Sequence, residues 1–433
     1  MNSPVPKTGS PPVNELDNSA SSAVLLVVGA GVGAYRAYGL KSMSAVAPLV
    51  LIDADPPSWT RRHTVARVRA DPADPAELFA AALEVTQLHP VGGVTTYIEE
   101  YVTHAAFLAE ALGLPGPSPE AAGICRDKHA TRVALDRSGV GSARSELVRG
   151  QDQAVGAADR IGYPVVVKPR RLAGSVGVRL CTSPDQVRDA YHAAASARLL
   201  EMRADGVLVE GYLDGPEVSA ECVVTADGTC HVVAVARKAL GPHPGFEETG
   251  HTVDSSDELL ADEALLSAVR GAVTATGYRS GVVHVELRIV RGQPAVIEIN
   301  ARPAGDLIPH LVHLATGVDL AGAAADVAFG RDPQLTPTRG QAAGVRFLYP
   351  GRPGVLDRRL FTHCGAPWLD RQIWTAVPGD PVTPPPEGGV TDRLGHLVVT
   401  GPTPLECRRR LDEVEAATSI AIRPAPAGSA CVQ

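Results

Sequence analysis

Between Gly281 and Asp306 the chain reads GVVHVELRIVRGQPAVIEINARPAGD, with acids and an amide at strand spacing on both sides of a turn-like RGQP. His284, Glu286 and Arg288 fall on one face of the first segment, and Val283, Val285, Leu287 and Ile289 on the other. In the second segment Glu298, Asn300 and Arg302 share one parity; Ala295, Ile297 and Ile299 share the other. Aligning the apolar faces makes a hairpin that sets Glu286 opposite Glu298 and His284 opposite Asn300. Directly opposed carboxylates repel, so the pairing calls for a cation between them. Glutamate and asparagine oxygens are hard ligands, which favours Mg²⁺ over zinc or copper. Taken alone, such a ribbon is more often simply wet. The residues upstream shift the balance.

Lys168 closes the β-branched run Val165-Val166-Val167 and is followed by Ala173-Gly174-Ser175-Val176-Gly177. Glycines let backbone N–H groups turn toward an anion, and a lysine at a strand end supplies a point charge. The Walker spacing GxxxxGK[ST] is absent. Lys128 opens a helix farther upstream. Glu210 and Glu217 bracket the loop Gly211-Tyr212-Leu213-Asp214-Gly215-Pro216, where exposed backbone can read an adenine edge and a carboxylate can accept ribose hydroxyls. Each of these has an ordinary reading by itself: a hairpin, a surface lysine, a solvated acid.

In order, these residues resemble the ATP-grasp family of carboxylate–amine ligases over about residues 118–330. The resemblance implies that Lys128 and Lys168 hold ATP phosphates under a cover containing Gly174, Ser175, Val176 and Gly177. It sets Glu210, Tyr212 and the Leu213 backbone at adenine, Glu217 at ribose and His284 beside the nucleotide. Lys238, ending the strand VVAVARK, becomes a secondary phosphate candidate. Glu286, Glu298 and Asn300 would carry two Mg²⁺ ions, with Mn²⁺ as a substitute.

Three details are similar to bacilysin-type L-amino acid ligases, which join amino acids into dipeptides. They are His284-x-Glu286, Glu298-x-x-x-Arg302 followed by Pro-Ala-Gly, and Glu248-x-x-His251 within GPHPGFEETGHTVDS. That similarity implies an acyl-phosphate route to an amide bond, releasing ADP and phosphate. Arg302 would face the tetrahedral oxyanion, with Glu248 and His251 on the substrate side. Glu99, Gly305 and Asp306 would line the amino acid site. A bacilysin-type ligase can carry a bulky aromatic residue where Asp306 stands, so an acid there implies an acceptor with a second cationic group, or one larger than alanine. Residues 170–178 and 240–253 are expected to close over the reactants. A homodimer is the family-level expectation.

The elements that must position these groups follow an α/β and α+β multidomain plan. At 433 residues the chain exceeds one ordinary core. Residues 1–22, rich in Pro, Ser and Asn, read as a disordered tail. Residues 23–117 alternate strand and helix as an N-terminal parallel βαβ domain. Residues 118–335 form the ATP-grasp domain, with a small lid part at about 140–208 and a metal and substrate part at about 209–335. One helical stretch should run from Ser118-Pro119 to near Gly139, and another from Pro184 to about Met202. A separate C-terminal α+β unit is expected over 336–433.

A net charge of −8 gives no support for nucleic-acid or membrane-surface partners. Seven scattered cysteines, never spaced CxxC, point to a reducing cytoplasm. No stretch approaches the length of a membrane span. One alternative keeps the fold and changes the acceptor, toward a purine-biosynthesis ligase or a biotin carboxylase. A different class, an NAD-dependent oxidoreductase built on Gly29-x-Gly31-x-x-Ala34 and Asp53, leaves Glu286, Glu298 and the lysines unexplained. A non-catalytic nucleotide-binding module is the third reading.

Overall fold

The computed structural model describes residues 23–199, 202–362 and 365–425, so the expected N-terminal tail lies outside the described residues. The chain begins with a parallel sheet ordered Ala66–Arg69, Leu49–Asp53, Val24–Val28, Val91–Thr95. Val24–Val28 is buried along its whole length, as a strand covered by helices on both faces must be. Ala66–Arg69 was not anticipated, because its ARVR pattern is short, half-polar and at the sheet edge.

The single helical stretch expected after Ser118 is two helices, Pro119–Arg126 and Lys128–Arg137. The break falls at Asp127, whose extended backbone lets its carboxylate accept from the His129 and Ala130 N–H groups at 3.1 and 3.2 Å. The same carboxylate receives the Arg170 fork, with Nε at 2.9 Å. The cap therefore fixes Lys128 in the first turn of its helix, with the side chain buried.

A small antiparallel sheet follows, ordered Ser145–Val148, Val207–Gly211, Val165–Pro169, Arg179–Cys181, with helices Gln151–Ile161 and Pro184–Ser196 packed on it. The second helix stops at Ser196 and not near Met202. Its buried face ends with Val187, Ala190 and Ala194, and the chain turns instead into a short pairing of Arg198–Leu199 with Met202–Arg203.

The main sheet is antiparallel and eight-stranded: Gln293–Asn300, Gly281–Val290, Glu217–Val224, Cys230–Leu240, Glu248–Asp254, Ala342–Leu348, Gly395–Gly401, Leu369–Trp374. Its last three strands come from the C-terminal region, so the α+β unit expected from residue 336 is joined edge to edge to this sheet. The cause is the second edge of Glu248–Asp254, whose backbone groups pair with Ala342–Leu348. A smaller sheet of Pro381–Val382, Gly354–Phe361 and Thr418–Arg423 packs with helix Pro404–Ala416 on the far end. Helices Ile308–Thr316 and Leu320–Ala328 join Leu25, Leu40 and Met43 of the N-terminal domain to Val345 of the main sheet in one core. Among the described residues no single helix is long and apolar enough to cross a membrane.

Asp127→Ala removes both the cap and the Arg170 partner, and is expected to lower stability by roughly 2–4 kcal/mol in urea unfolding. Asp127→Asn keeps the cap acceptor and should lose clearly less.

Candidate active site

The hairpin has the register that the alternation demands: His284 faces Asn300 and Glu286 faces Glu298. One residue further the pattern slips, because Leu287 faces Val296 and leaves Ile297 as the extra residue of a bulge. Val296 and Ile299 are in the core, while Ile297 lines the cleft. The apolar face expected from Ala295, Ile297 and Ile299 is therefore broken. The bulge also turns the Ile297 carbonyl toward Arg132, whose Nη2 donates to it at 2.5 Å.

Around the hairpin lies a cleft of about 130 Å³. Lys128, Lys168, Glu210, Glu217, Glu286 and Glu298 face into it, with Gly174, Ser175 and Val176 on one side and Tyr212 and Leu213 on another. Glu248, Asn300 and Arg302 complete one end. Gly177 does not line it. Its φ of +74° and the 2.8 Å that would separate a Cβ from Ala197 make it a requirement of the loop's path.

The charges of this cleft are paired throughout. Lys128 Nζ stands 3.2 Å from Glu298 and donates to Leu172 O at 2.6 Å. Lys168 Nζ lies 2.6 Å from Glu210, which Arg132 meets from the other side at 3.0 Å. Burial pushes the Glu210 carboxyl up, but Arg132 and Lys168 outweigh it and hold the group below its ordinary value. Arg288 binds Glu217 at 3.0 Å with its guanidinium over the Tyr212 and Phe246 rings.

Lys238 does not reach the cleft wall as a phosphate contact. Its ammonium is 1% exposed beneath three carboxylates, Glu248 at 2.7 Å, Glu286 at 2.9 Å and Glu217 at 3.3 Å. Burial alone would lower its pKa; the three acids hold it well above the usual lysine value. His284 is likewise beneath the surface. It bridges Glu221 at 2.7 Å and Glu286 at 3.1 Å, orienting the carboxylate and not facing the cleft. Burial disfavours the imidazolium, yet the two acids raise its pKa to about 9. Glu298 goes the other way. Burial pushes it up, Lys128 offsets that only in part, and the facing Glu286 adds to the rise.

At the far end Arg302 Nε lies 2.6 Å from Glu99. The Asn300 amide, turned so that its nitrogen faces acceptors, donates to Glu298 at 3.3 Å and to Glu99 at 3.2 Å. His251 and Asp306 lie behind Glu248 and outside the main cleft, and Gly305 is likewise off its wall. Asp306 is not a free receptor for a cationic acceptor. Arg393 forks onto both of its oxygens at 2.8 and 2.9 Å, and His251 stands 3.5 Å away. Burial would raise the Asp306 pKa, but Arg393 and then His251 drive it well below the ordinary range.

Sequence reasoning missed Arg132, Arg288, Glu221 and Arg393. Arg132 is one helical turn after Lys128 and Arg288 shares the parity of Glu286, so both carried a periodicity signal. Arg393 carried none.

The glycine turn serves packing and not a dinucleotide. Asp53 accepts from the N–H groups of Ala30 at 2.8 Å and Asp55 at 2.9 Å, closing the turn with both oxygens. A Cβ on Gly29 would meet the Tyr101 ring at 2.6 Å.

Residues 161–310 match the ATP-grasp domain family, and residues 346–423 match L-amino acid ligase C-terminal domain 2. A Sinorhizobium fredii protein, y4rH, is 30% identical over 367 residues, covering 82% of this chain and 73% of its own length. The chain belongs to the ATP-grasp ligases of the L-amino acid ligase type. Alanine–anticapsin ligase of Bacillus subtilis is 29% identical over 282 residues, 60% of this chain and 58% of that relative. The crystal structure of an L-amino acid ligase from Bacillus licheniformis superposes with a TM-score of 0.78 at 20% identity, covering 93% of this chain and 99% of that one. Lys168, Glu210, Glu217, Glu286, Glu298 and Asn300 of the paired cleft fall within the matched ATP-grasp residues.

His284 supplies a pH test of the network. Its folded pKa, about 9, lies above the ordinary 6.5, so its stabilisation is complete below pH 6.5 and disappears as the pH rises through 9. In EDTA, the stability advantage of the protein over His284→Gln should shrink across that window in denaturant titrations. A constant advantage counts against the charged bridge.

Proposed function

We propose that this ATP-grasp ligase activates the carboxylate of an amino acid with ATP and transfers the acyl group to an amine, releasing ADP and phosphate. The observation that carries the reading is the Glu286–Glu298 pair, opposed on neighbouring strands at the base of a cleft that also gathers Lys128, Lys168 and the 174–176 loop. The donor set fits Mg²⁺: two carboxylates and an amide offer hard oxygens, and Glu298, raised chiefly by burial and only partly relieved by Lys128, would gain from a cation. Glu286, Glu298 and Asn300 would hold the ions, two in number, with Mn²⁺ as a substitute. Bound there, they spread the charge of the phosphoryl group in transfer.

Lys128 and Lys168 then exchange their carboxylate partners for phosphate oxygens, and residues 174–176 cover them. Glu210 and the Leu213 backbone meet the adenine edge, Tyr212 its face, and Glu217 the ribose. A carboxylate is a poor electrophile toward an amine; as an acyl phosphate it gains a good leaving group. The amine attacks, its proton leaves to solvent or a nearby carboxylate, and negative charge collects on the former carbonyl oxygen. Arg302, held at Glu99, is the cation for that oxygen. Glu248 faces a substrate ammonium, and His251 behind it orients Glu248 at 3.2 Å. Residues 170–178 and 240–253 exclude water, which would otherwise hydrolyse the intermediate. The five described cysteines are unpaired, which fits a reducing cytoplasm, and a homodimer is carried with this reading.

Mass spectrometry of products from ATP, Mg²⁺ and an amino acid pool should show a dipeptide mass appearing with ADP. Phosphate release that depends on bicarbonate and needs no amine would instead mark a carboxylase. Arg302→Ala should keep nucleotide binding by calorimetry while amide formation falls roughly 100- to 1000-fold. Product at the unaltered rate removes Arg302 from the chemistry.

A further inference from the structure

The chain leaves the Glu286–Glu298 hairpin through a turn that its residue types do not favour. Asp306 has a φ of +52° and Leu307 a φ of +65°, left-handed backbone that residues with a Cβ rarely adopt. Such backbone persists only where its surroundings hold it. The Gly305 carbonyl accepts from the Ile308 N–H at 3.0 Å and closes the turn locally. The grip on its side chain comes from the C-terminal region.

That grip is Arg393, just after the short turn Val390–Asp392. It is 4% exposed and does not face the cleft. Its fork reaches both Asp306 oxygens, at 2.8 and 2.9 Å. The same guanidinium donates to the Glu248 carbonyl at 3.0 Å and stands 3.1 Å from the Glu247 carboxylate. Nε donates to the Tyr349 hydroxyl at 2.8 Å. The Phe347 ring centre lies 3.7 Å from the guanidinium, and the same ring meets His251 edge-on at 5.8 Å. The donors of an arginine are fixed in one plane, so acceptors sharing it cannot shift independently.

Two segments of the cleft wall are joined in this way. The loop that ends in Asp306 carries Arg302, and the strand that begins beside Glu247 carries Glu248; Arg302 and Glu248 both line the cleft. His251, between Glu248 at 3.2 Å and Asp306 at 3.5 Å, makes a second tie of the same kind. Glu248, Arg302 and Asp306 belong to the residues that match the ATP-grasp domain, whereas Arg393 belongs to those that match the C-terminal domain. On the ligase reading above, on which this inference rests, Arg302 meets the oxygen of the activated carboxylate and Glu248 the ammonium. We propose that Arg393 is a positioning residue: it ties the Arg302 loop to the Glu248 strand and so fixes the span that a donor bridges from amine to carboxylate. It touches no substrate, and no bond is made or broken at it.

The test uses the full chain, with the donor and acceptor that give the fastest phosphate release. That donor is compared with its β-homologue, in which a further methylene separates amine from carboxylate. The unaltered protein should prefer the α-donor. Arg393→Lys keeps the charge and gives up the planar fork. Its kcat/KM for the α-donor should fall roughly 10- to 100-fold, the cost of a misplacement of about an ångström. The β-homologue should lose clearly less, so that the preference narrows, with the KM for ATP unchanged. Equal losses with both donors overturn the proposal, since they mark a residue that only holds the fold. No loss with either donor overturns it too. So does equal use of the two donors by the unaltered protein, because no span is then enforced. If Arg393→Lys fails to fold, Asp306→Asn carries the same comparison, since it keeps an acceptor and removes the charge that the fork meets. No ADP from any amino acid pair marks failure of the ligase reading itself and is distinguishable, because neither donor then turns over.

Discussion

Two acids forced to face each other across a pair of strands are the constraint to which this fold answers. Glu286 and Glu298 cannot separate, because the alternation that points them together also buries Val285, Leu287 and Ile299 in the core. Their repulsion is met from several directions. Lys238 approaches Glu286 from the Cys230–Leu240 strand, His284 from two residues before it, and Lys128 approaches Glu298 from a capped helix. Lys128, Arg132, Lys168, Lys238, Arg288 and Arg302 are balanced by Glu99, Glu210, Glu217, Glu248, Glu286 and Glu298. A triphosphate that carries its own divalent ions adds little net charge to such a set. On the ligase reading proposed above, binding would be an exchange of partners, lysine to phosphate and glutamate to metal, and not the addition of charge to a dry cleft.

The groups that the exchange involves differ in how firmly they are held. Glu210 is gripped by two cations and Lys238 by three acids, so these define geometry. Glu298 has one lysine and a facing acid, so it is the member that gains most from a new cation. One side of the cleft belongs to the main sheet, and the 174–176 side is a loop between two strands of the small sheet. That division suits a site that must admit a large ligand and then exclude water.

Much of this was legible because it is periodic. The opposition of Glu286 and Glu298 follows from parity alone, and Lys168 at the end of three valines could sit only at a strand mouth. What failed was whatever breaks a period or comes from afar. The bulge at Ile297 reverses an apolar face with no composition signal, since Val296 is as hydrophobic as its neighbours. Asp127 divides a helix that reads as continuous, because a cap residue and an exposed helical acid look alike in sequence. Asp306 was read as a receptor for positive charge because its partner Arg393 arrives from the C-terminal region, to which no local pattern connects it. Lys238 was assigned to phosphate for the same reason: its three acids lie on other strands.

The continuity of the main sheet into the C-terminal strands bears on how such chains can be recombined. A catalytic segment ended near residue 335 would strip Glu248–Asp254 of its neighbour and leave a long row of unpaired amides beside Glu248 and His251. Exposed edges of that kind recruit other chains. The cleft and these last strands therefore depend on one another, and a cassette exchange that severs them would leave that edge open to aggregation.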